Sequence, residues 1–210
     1  RRARPIHPDS ASAVRPGRCR VRGSRSVDRV TTVRHWARTQ PCEPDVVERP
    51  NSTDELAGLS VSAAAANRPV KALGAGHSFT PTAMTDGVLV SLGRLADVIE
   101  VDGDRVRVQA GIELRALSEH LDRHGLAMPN LGDINVQSLA GATATATHGT
   151  GRGLGNLATT VEAIELVDGR GEIRRFDTRA DADAVRTLAV GVGAFGIVTE
   201  LTLRVVPAFE

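Results

Sequence analysis

Two aspartate–glycine turns, each flanked by alternating apolar residues, constrain the fold of this chain more than any other feature. Residues 98–101 and 106–108 alternate on either side of Asp102, Gly103 and Asp104, and residues 161–167 and 173–176 flank Asp168 and Gly169. Asp-Gly tolerates the positive φ that a tight hairpin needs, so both pairs read as antiparallel strands. A strict strand–helix–strand alternation is thereby excluded. Helices are nevertheless present. Ser52, Thr53, Asp54 and Glu55 form a capping box, and Leu56, Leu59, Ala63 and Ala66 follow at helical spacing, which predicts a helix to about Asn67. Leu114, Leu117 and Leu121 mark a second helix ending at Gly125, and a short third is expected over 181–190.

Extended segments are expected over 43–50, 69–73 and 88–92. The last strand has Ile197, Leu201, Leu203 and Val205 on one face and Glu200, Thr202 and Arg204 on the other. Strands and helices mixed in this way give an α+β fold, expected as two small subdomains over 30–95 and 96–210 with a ligand between them. Trp36, Phe79, Phe176, Phe195 and Phe209 are all the aromatic residues, so Val, Leu, Ile and Ala have to build the core.

The formal charge of +1 hides an asymmetry. Residues 1–29 carry nine arginines against Asp9 and Asp28, a net of +7, which leaves −6 for the rest. The composition of 1–29 reads as a disordered basic leader without aromatic interleaving, and the acidic remainder argues against nucleic-acid binding. Cys19 and Cys42 lie near no second cysteine or histidine at zinc-ligand spacing, so no metal site is expected.

Glycine supplies the functional signal. The segment 69–73 runs straight into Gly74, Ala75, Gly76, His77, Ser78 and Phe79. A dinucleotide fingerprint needs Gly-x-Gly-x-x-Gly opening a helix; here the sixth position is Phe79, followed by Thr80, Pro81 and Thr82. No Lys-Ser/Thr follows, which excludes a phosphate-binding Walker loop. Two readings stay open: a bend whose amides meet a phosphate, or a tight turn with a surface histidine. A second segment, Ser138 to His148, is made of small residues and closely spaced hydroxyls, with Gly149, Gly151, Gly153 and Gly155 beyond it. Small side chains let backbone approach a ligand and hydroxyls donate to phosphate, although such runs also occur in packed strands and linkers. The glycines favour a loop.

These motifs, in this order and running from the segment His35, Trp36, Ala37, Arg38 to the segment Val205, Val206, Pro207, Ala208, Phe209, resemble the flavin domain of the vanillyl-alcohol-oxidase superfamily. The likeness is to its aldonolactone and alditol oxidase branch. It implies a two-subdomain, PCMH-type fold with FAD between the subdomains. It further implies that Ala72, Leu73, Gly74, Ala75, Gly76, His77 and Ser78 wrap the FAD pyrophosphate, with His77 the covalent anchor to the flavin 8α-methyl carbon. Gly132, Asp133, Ser138, Gly141, Ala142 and Thr145 are placed against the cofactor, and Gly196 and Val198 beside the adenine. Asp133 departs from the serine of some relatives. With no cysteine between 133 and 147, a second thioether tether of the berberine-bridge kind is not expected. His148 is read as a structural ring, and His120, His124 and Glu165 as solvated or structural.

By the same resemblance, hydride passes from a CH–OH group of a sugar lactone or polyol to the flavin N5, and O2 reoxidises the flavin to give H2O2. Gly132 occupies the position that leaves room for oxygen, which favours an oxidase. The groups that bind and deprotonate the substrate belong to a following C-terminal domain, so no catalytic residue is expected in these 210 residues. The alternative is an FAD-binding module without turnover, and a third possibility is an interaction remnant that binds no flavin. The resemblance fits a cytoplasmic location, with membrane association left open.

Overall fold

The computed structural model describes residues 32–34, 36–38 and 41–209. The leader over 1–29, Cys19 and His35 lie outside the described residues. Strands β1 (Val33–Arg34) and β2 (Pro41–Cys42) pair with each other, and β3 (Val46–Glu48) leads to helix α1 (Thr53–Ala65). The Ser52 hydroxyl accepts from the Glu55 amide at 3.1 Å, as a capping box requires, and the Glu55 carboxylate reaches back to accept from the Asn51 amide at 2.9 Å, one residue before the cap. The helix ends at Ala65, two residues before Asn67, which takes a φ of 50°. Leu56 and Ala63 are its buried anchors.

Strands β4 (Val70–Leu73) and β5 (Val88–Ser91) follow, and β5 lies between β3 and β4 with both pairings parallel. The remaining strands and helices are β6 (Val98–Asp102), β7 (Arg105–Gln109), α2 (Leu114–Asp122), β8 (Leu126–Ala127), α3 (Leu139–Ala144), β9 (Val161–Val167), β10 (Ile173–Asp177), α4 (Thr178–Ala189), β11 (Ile197–Arg204) and β12 (Val206–Pro207). Five of these strands form an antiparallel sheet ordered β10-β9-β11-β7-β6, which contains both expected hairpins. Gly103 sits in the first turn at φ 57°. Strand β12 pairs with β8. The mixture is α+β.

One core cluster joins Val106, Val108, Leu117, Leu121, Ile164, Leu201 and Leu203, where α2 and α4 cover the antiparallel sheet. A second joins Leu56, Val88, Val90, Ala110 and Val167, and so links α1 and the parallel sheet to the edge of the antiparallel one. No aromatic side chain among the described residues is buried, as the scarcity of aromatics required. No helix among them is long and apolar enough to cross a membrane.

Two expectations need correction and a third gains a turn. The small-residue run after Ser138 is a helix over Leu139–Ala144, not a loop. Leu139, Ala142 and Thr143 are buried on one side of it, and the Thr143 hydroxyl donates back to the carbonyls of Leu139 and Ala140, so packing outweighs the loop-forming composition. Helix α4 corresponds to the helix expected over 181–190 and adds a preceding turn from Thr178, capped by Asp177. Asp181 interrupts it with non-helical dihedrals (φ −151°, ψ 87°), and its carboxylate accepts from the Ala184 amide. Finally, Ile197 does not share a face with Leu201. The register shifts between Val198 and Glu200, so Ile197 sits opposite Val167 while Leu201 sits opposite Ile164. A bulge of one residue reverses the alternation.

Candidate functional site

A cavity of about 310 Å³ opens where three segments converge: residues 70–83 with 91–93, residues 110–145, and residues 192–198. Strand β4 delivers the first wall. At its end Gly76 takes a φ of 70°, a left-handed conformation that an L side chain rarely adopts. Among the described residues, no protein acceptor takes the amides of Ala75, Gly76, His77 or Ser78. A run of free amides around a left-handed residue is the geometry of an anion-binding nest.

The second wall is Ser138, Gly141 and Thr145. Ser138 is 7% exposed, and its hydroxyl has no protein partner among the described residues while it faces the cavity. It lies so close to Gly74 that a Cβ there would overlap the Ser138 oxygen, and a Cβ on Gly141 would come within 2.9 Å of the same atom. The two glycines therefore keep backbone and hydroxyl in contact with the cavity. Above the first bend, the Trp36 amide donates to the Gly76 carbonyl at 2.7 Å, and the indole stacks on the His77 ring at 6.0 Å between centroids. Phe79 meets the same indole edge-on.

Ala72, Leu73, Gly74, Ala75, Gly76, His77, Ser78, Ser138, Gly141, Thr145, Gly196 and Val198 all line this cavity. Gly132, Asp133 and Ala142 do not. Ala142 is fully buried in the core cluster, and its amide and carbonyl are bonded to Ser138 and Thr147. Gly132 lies beside Thr147, where an added Cβ would come within 3.0 Å of the threonine methyl. Asp133 is exposed. The His148 ring bonds the neighbouring Gly149 carbonyl, in line with a loop-pinning role. His120 and His124 stack on each other near the end of α2, away from the cavity; burial, then the neighbouring His124, lowers the His120 pKa. No group of histidine, cysteine, aspartate or glutamate able to hold a metal occurs among the described residues.

The sequence reading missed part of the lining: Leu92, Ala110, Gly111, Gln137 and Val192. The available signal was Gly111 directly after a strand, since a Cβ there would run into the Leu92 carbonyl oxygen. The titratable side chains of the lining are Lys71, His77 and Glu113.

A cavity bounded by amides that meet no acceptor among the described residues, a small-residue cradle and the Ser138 hydroxyl fits a diphosphate-bearing cofactor. Residues 44–177 match the FAD binding domain family. The chain belongs to that family. It is 41% identical over 177 residues to an L-gulono-1,4-lactone dehydrogenase of Mycobacterium tuberculosis, covering 83% of this chain and 41% of that protein. It is 35% identical over 178 residues to the L-gulonolactone oxidase of Mus musculus, covering 84% and 40%. With the D-arabinono-1,4-lactone oxidase of Kluyveromyces lactis the identity is 32% over 183 residues, covering 84% and 35%. The chain thus spans about two fifths of the length of the curated relatives it matches. The resemblance to the aldonolactone branch agrees with these relatives.

Proposed function

We propose that this chain is the FAD-binding part of an oxidoreductase that acts on the CH–OH group of an aldonolactone. The observation that carries the reading is the convergence of residues 72–78 with Ser138 and Gly141 on one cavity, in a member of the FAD-binding domain family. The free amides of residues 75–78 would hold the diphosphate, and the Ser138 hydroxyl would donate to it. Gly196 and Val198 would flank the adenine. Residues 30–95 and 96–210 would act as the two subdomains; the cavity draws lining residues from both ranges.

His77 sits at the cavity wall, and Trp36 restricts its ring from one side. That arrangement supports a covalent link from its imidazole to the flavin methyl group. Bound FAD would supply a hydride acceptor at N5 and pass the electrons to O2 as H2O2. Oxygen as acceptor rests on the family resemblance at Gly132, which lies outside the cavity lining. Glu113 pairs with Arg115 at 3.9 Å, and among the described residues Lys71, His77 and Glu113 make no bond to one another, so deprotonation of the substrate hydroxyl would fall to side chains outside this cavity. That same observation favours a second reading, a chain that loads FAD without turnover.

Reconstitution with FAD tests the proposal. The purified chain should retain flavin through gel filtration, and its yellow colour should survive acid precipitation. Peroxide formation with L-gulono-1,4-lactone or D-arabinono-1,4-lactone would separate the oxidase from the module without turnover. A chain that stays colourless after FAD addition defeats both readings.

A further inference from the structure

The wall over Gly196, Ile197 and Val198 adjoins a break in the regularity of β11. Successive residues of a strand alternate between faces, and the alternation of 197 and 198 is out of step with that of 201 and 203. The reason is Thr199. Strand β11 pairs Val198 with Leu166 and Glu200 with Glu165, leaving Thr199 without a partner in the β9 ladder. An extra residue of this kind normally sits at a sheet edge or beside a functional site. Here it is 1% exposed in a central strand.

A buried hydroxyl needs a partner, and Thr199 finds one across the sheet. Its Oγ1 donates toward the Glu165 carbonyl oxygen at 3.3 Å and the Glu165 Oε1 at 3.0 Å. Its own carbonyl accepts from the Ala110 amide at 2.8 Å, and the Ala110 carbonyl accepts from the Ala140 amide at 3.1 Å. Ala110 and Ala140 are both cavity-lining residues. One residue outside the cavity therefore ties together β9, the end of β7, the start of α3 and the bent part of β11.

We propose that Thr199 is a positioning residue for the cofactor site: its hydroxyl, held by Glu165, fixes the bulge that turns residues 196–198 onto the cavity. The Ala110 amide holds Thr199 on the β7 side, and on the β9 side the hydroxyl is what ties the extra residue down. A slip to regular pairing would exchange the faces of Ile197 and Val198. The inference rests on the FAD reading, and its test separates the two.

The test uses the full chain and three measurements: FAD affinity by fluorescence titration, melting temperature, and hydrogen exchange by peptide. Thr199→Val keeps the branched shape and removes the hydroxyl. FAD should bind roughly tenfold more weakly, the loss expected when a buried acceptor is left unpaired. Exchange should accelerate over 196–201 and stay unchanged over Leu114–Asp122. Thr199→Ser, which keeps the hydroxyl, should restore both. A Thr199→Val protein with unaltered FAD affinity overturns the inference, as does exchange that accelerates evenly along the chain, or a serine variant that behaves like valine. If Thr199→Val does not fold, Glu165→Leu removes the carboxylate acceptor alone and is held to the same outcomes. Failure of the unsubstituted chain to bind FAD would instead overturn the reading beneath the inference.

Discussion

Gly74 and Ser138 touch across the mouth of the cavity so closely that neither position tolerates a larger neighbour: a Cβ on Gly74 would overlap the Ser138 hydroxyl. They come from segments some sixty residues apart, one at the end of the parallel sheet and the other at the start of α3. Gly74→Ala should therefore strain this junction by about 1–3 kcal/mol, the usual cost of overpacking. In the Gly74→Ala/Ser138→Ala pair the overlapping oxygen is gone, and the serine Cβ position lies 3.3 Å from the new methyl. Urea unfolding of both single variants and the double should show the double to be more stable than the two losses combined allow. Strict additivity would mean that the two residues do not meet.

For His77 the expected outcome is a separation of binding from attachment. His77→Ala removes the ring that stacks on Trp36 but leaves the amides of residues 75–78 and the cavity lining in place. The variant should still take up FAD, and the flavin should now be released by acid. Absorbance of the pellet and supernatant at the flavin maximum after trichloroacetic acid precipitation measures this directly. Acid-stable colour persisting in His77→Ala would place the link elsewhere.

The hairpins were legible because alternation and an Asp-Gly turn occur together, and both signals act within about fifteen residues. The first bend was legible for a similar reason: glycine at 74 and 76 directly follows a strand. Two local signals misled. Alanine and threonine after Ser138 read as a loop by composition, whereas burial of Leu139, Ala142 and Thr143 makes a helix. The apolar set at 197, 201, 203 and 205 has even spacing, and even spacing cannot reveal a bulge whose residue, Thr199, bonds to Glu165, 34 residues away. The parallel order β3-β5-β4 had no local signature, because a strand's pattern does not name its neighbour. Ala110 and Gly111 were missed on the same ground: they meet the cavity only after the two sheets pack.

Ser52 offers a test of local helix stability away from the cavity. Its hydroxyl accepts from the Glu55 amide, and the Glu55 carboxylate answers by accepting from Asn51. Ser52→Ala breaks the first of these bonds and should cost about 1 kcal/mol, the typical worth of an N-cap hydroxyl. Chemical denaturation gives the value. Because α1 anchors Leu56 beside the parallel sheet, FAD affinity should fall no more than stability does.

Asp168 predicts a specific acid sensitivity. Its carboxylate accepts from the Arg170 amide at 2.8 Å, from the Glu172 amide at 3.0 Å and from the Arg174 guanidinium at 2.9 Å. The Arg170 amide first, then the Glu172 amide and the Arg174 charge, hold its pKa below the ordinary 3.8, against a partial burial that works the other way. A folded pKa below the unfolded one means that the unfolded chain binds the proton first as pH falls. The stabilisation is therefore complete above about pH 4 and is lost as pH drops through the lowered value. Asp168→Asn cannot titrate. It should melt at a lower temperature than the unsubstituted chain at pH 7, and the gap should narrow steadily between pH 4 and pH 2. Since this aspartate closes the turn between β9 and β10, a constant gap across that range would show that the turn is held by Gly171, at φ 78°, rather than by the carboxylate.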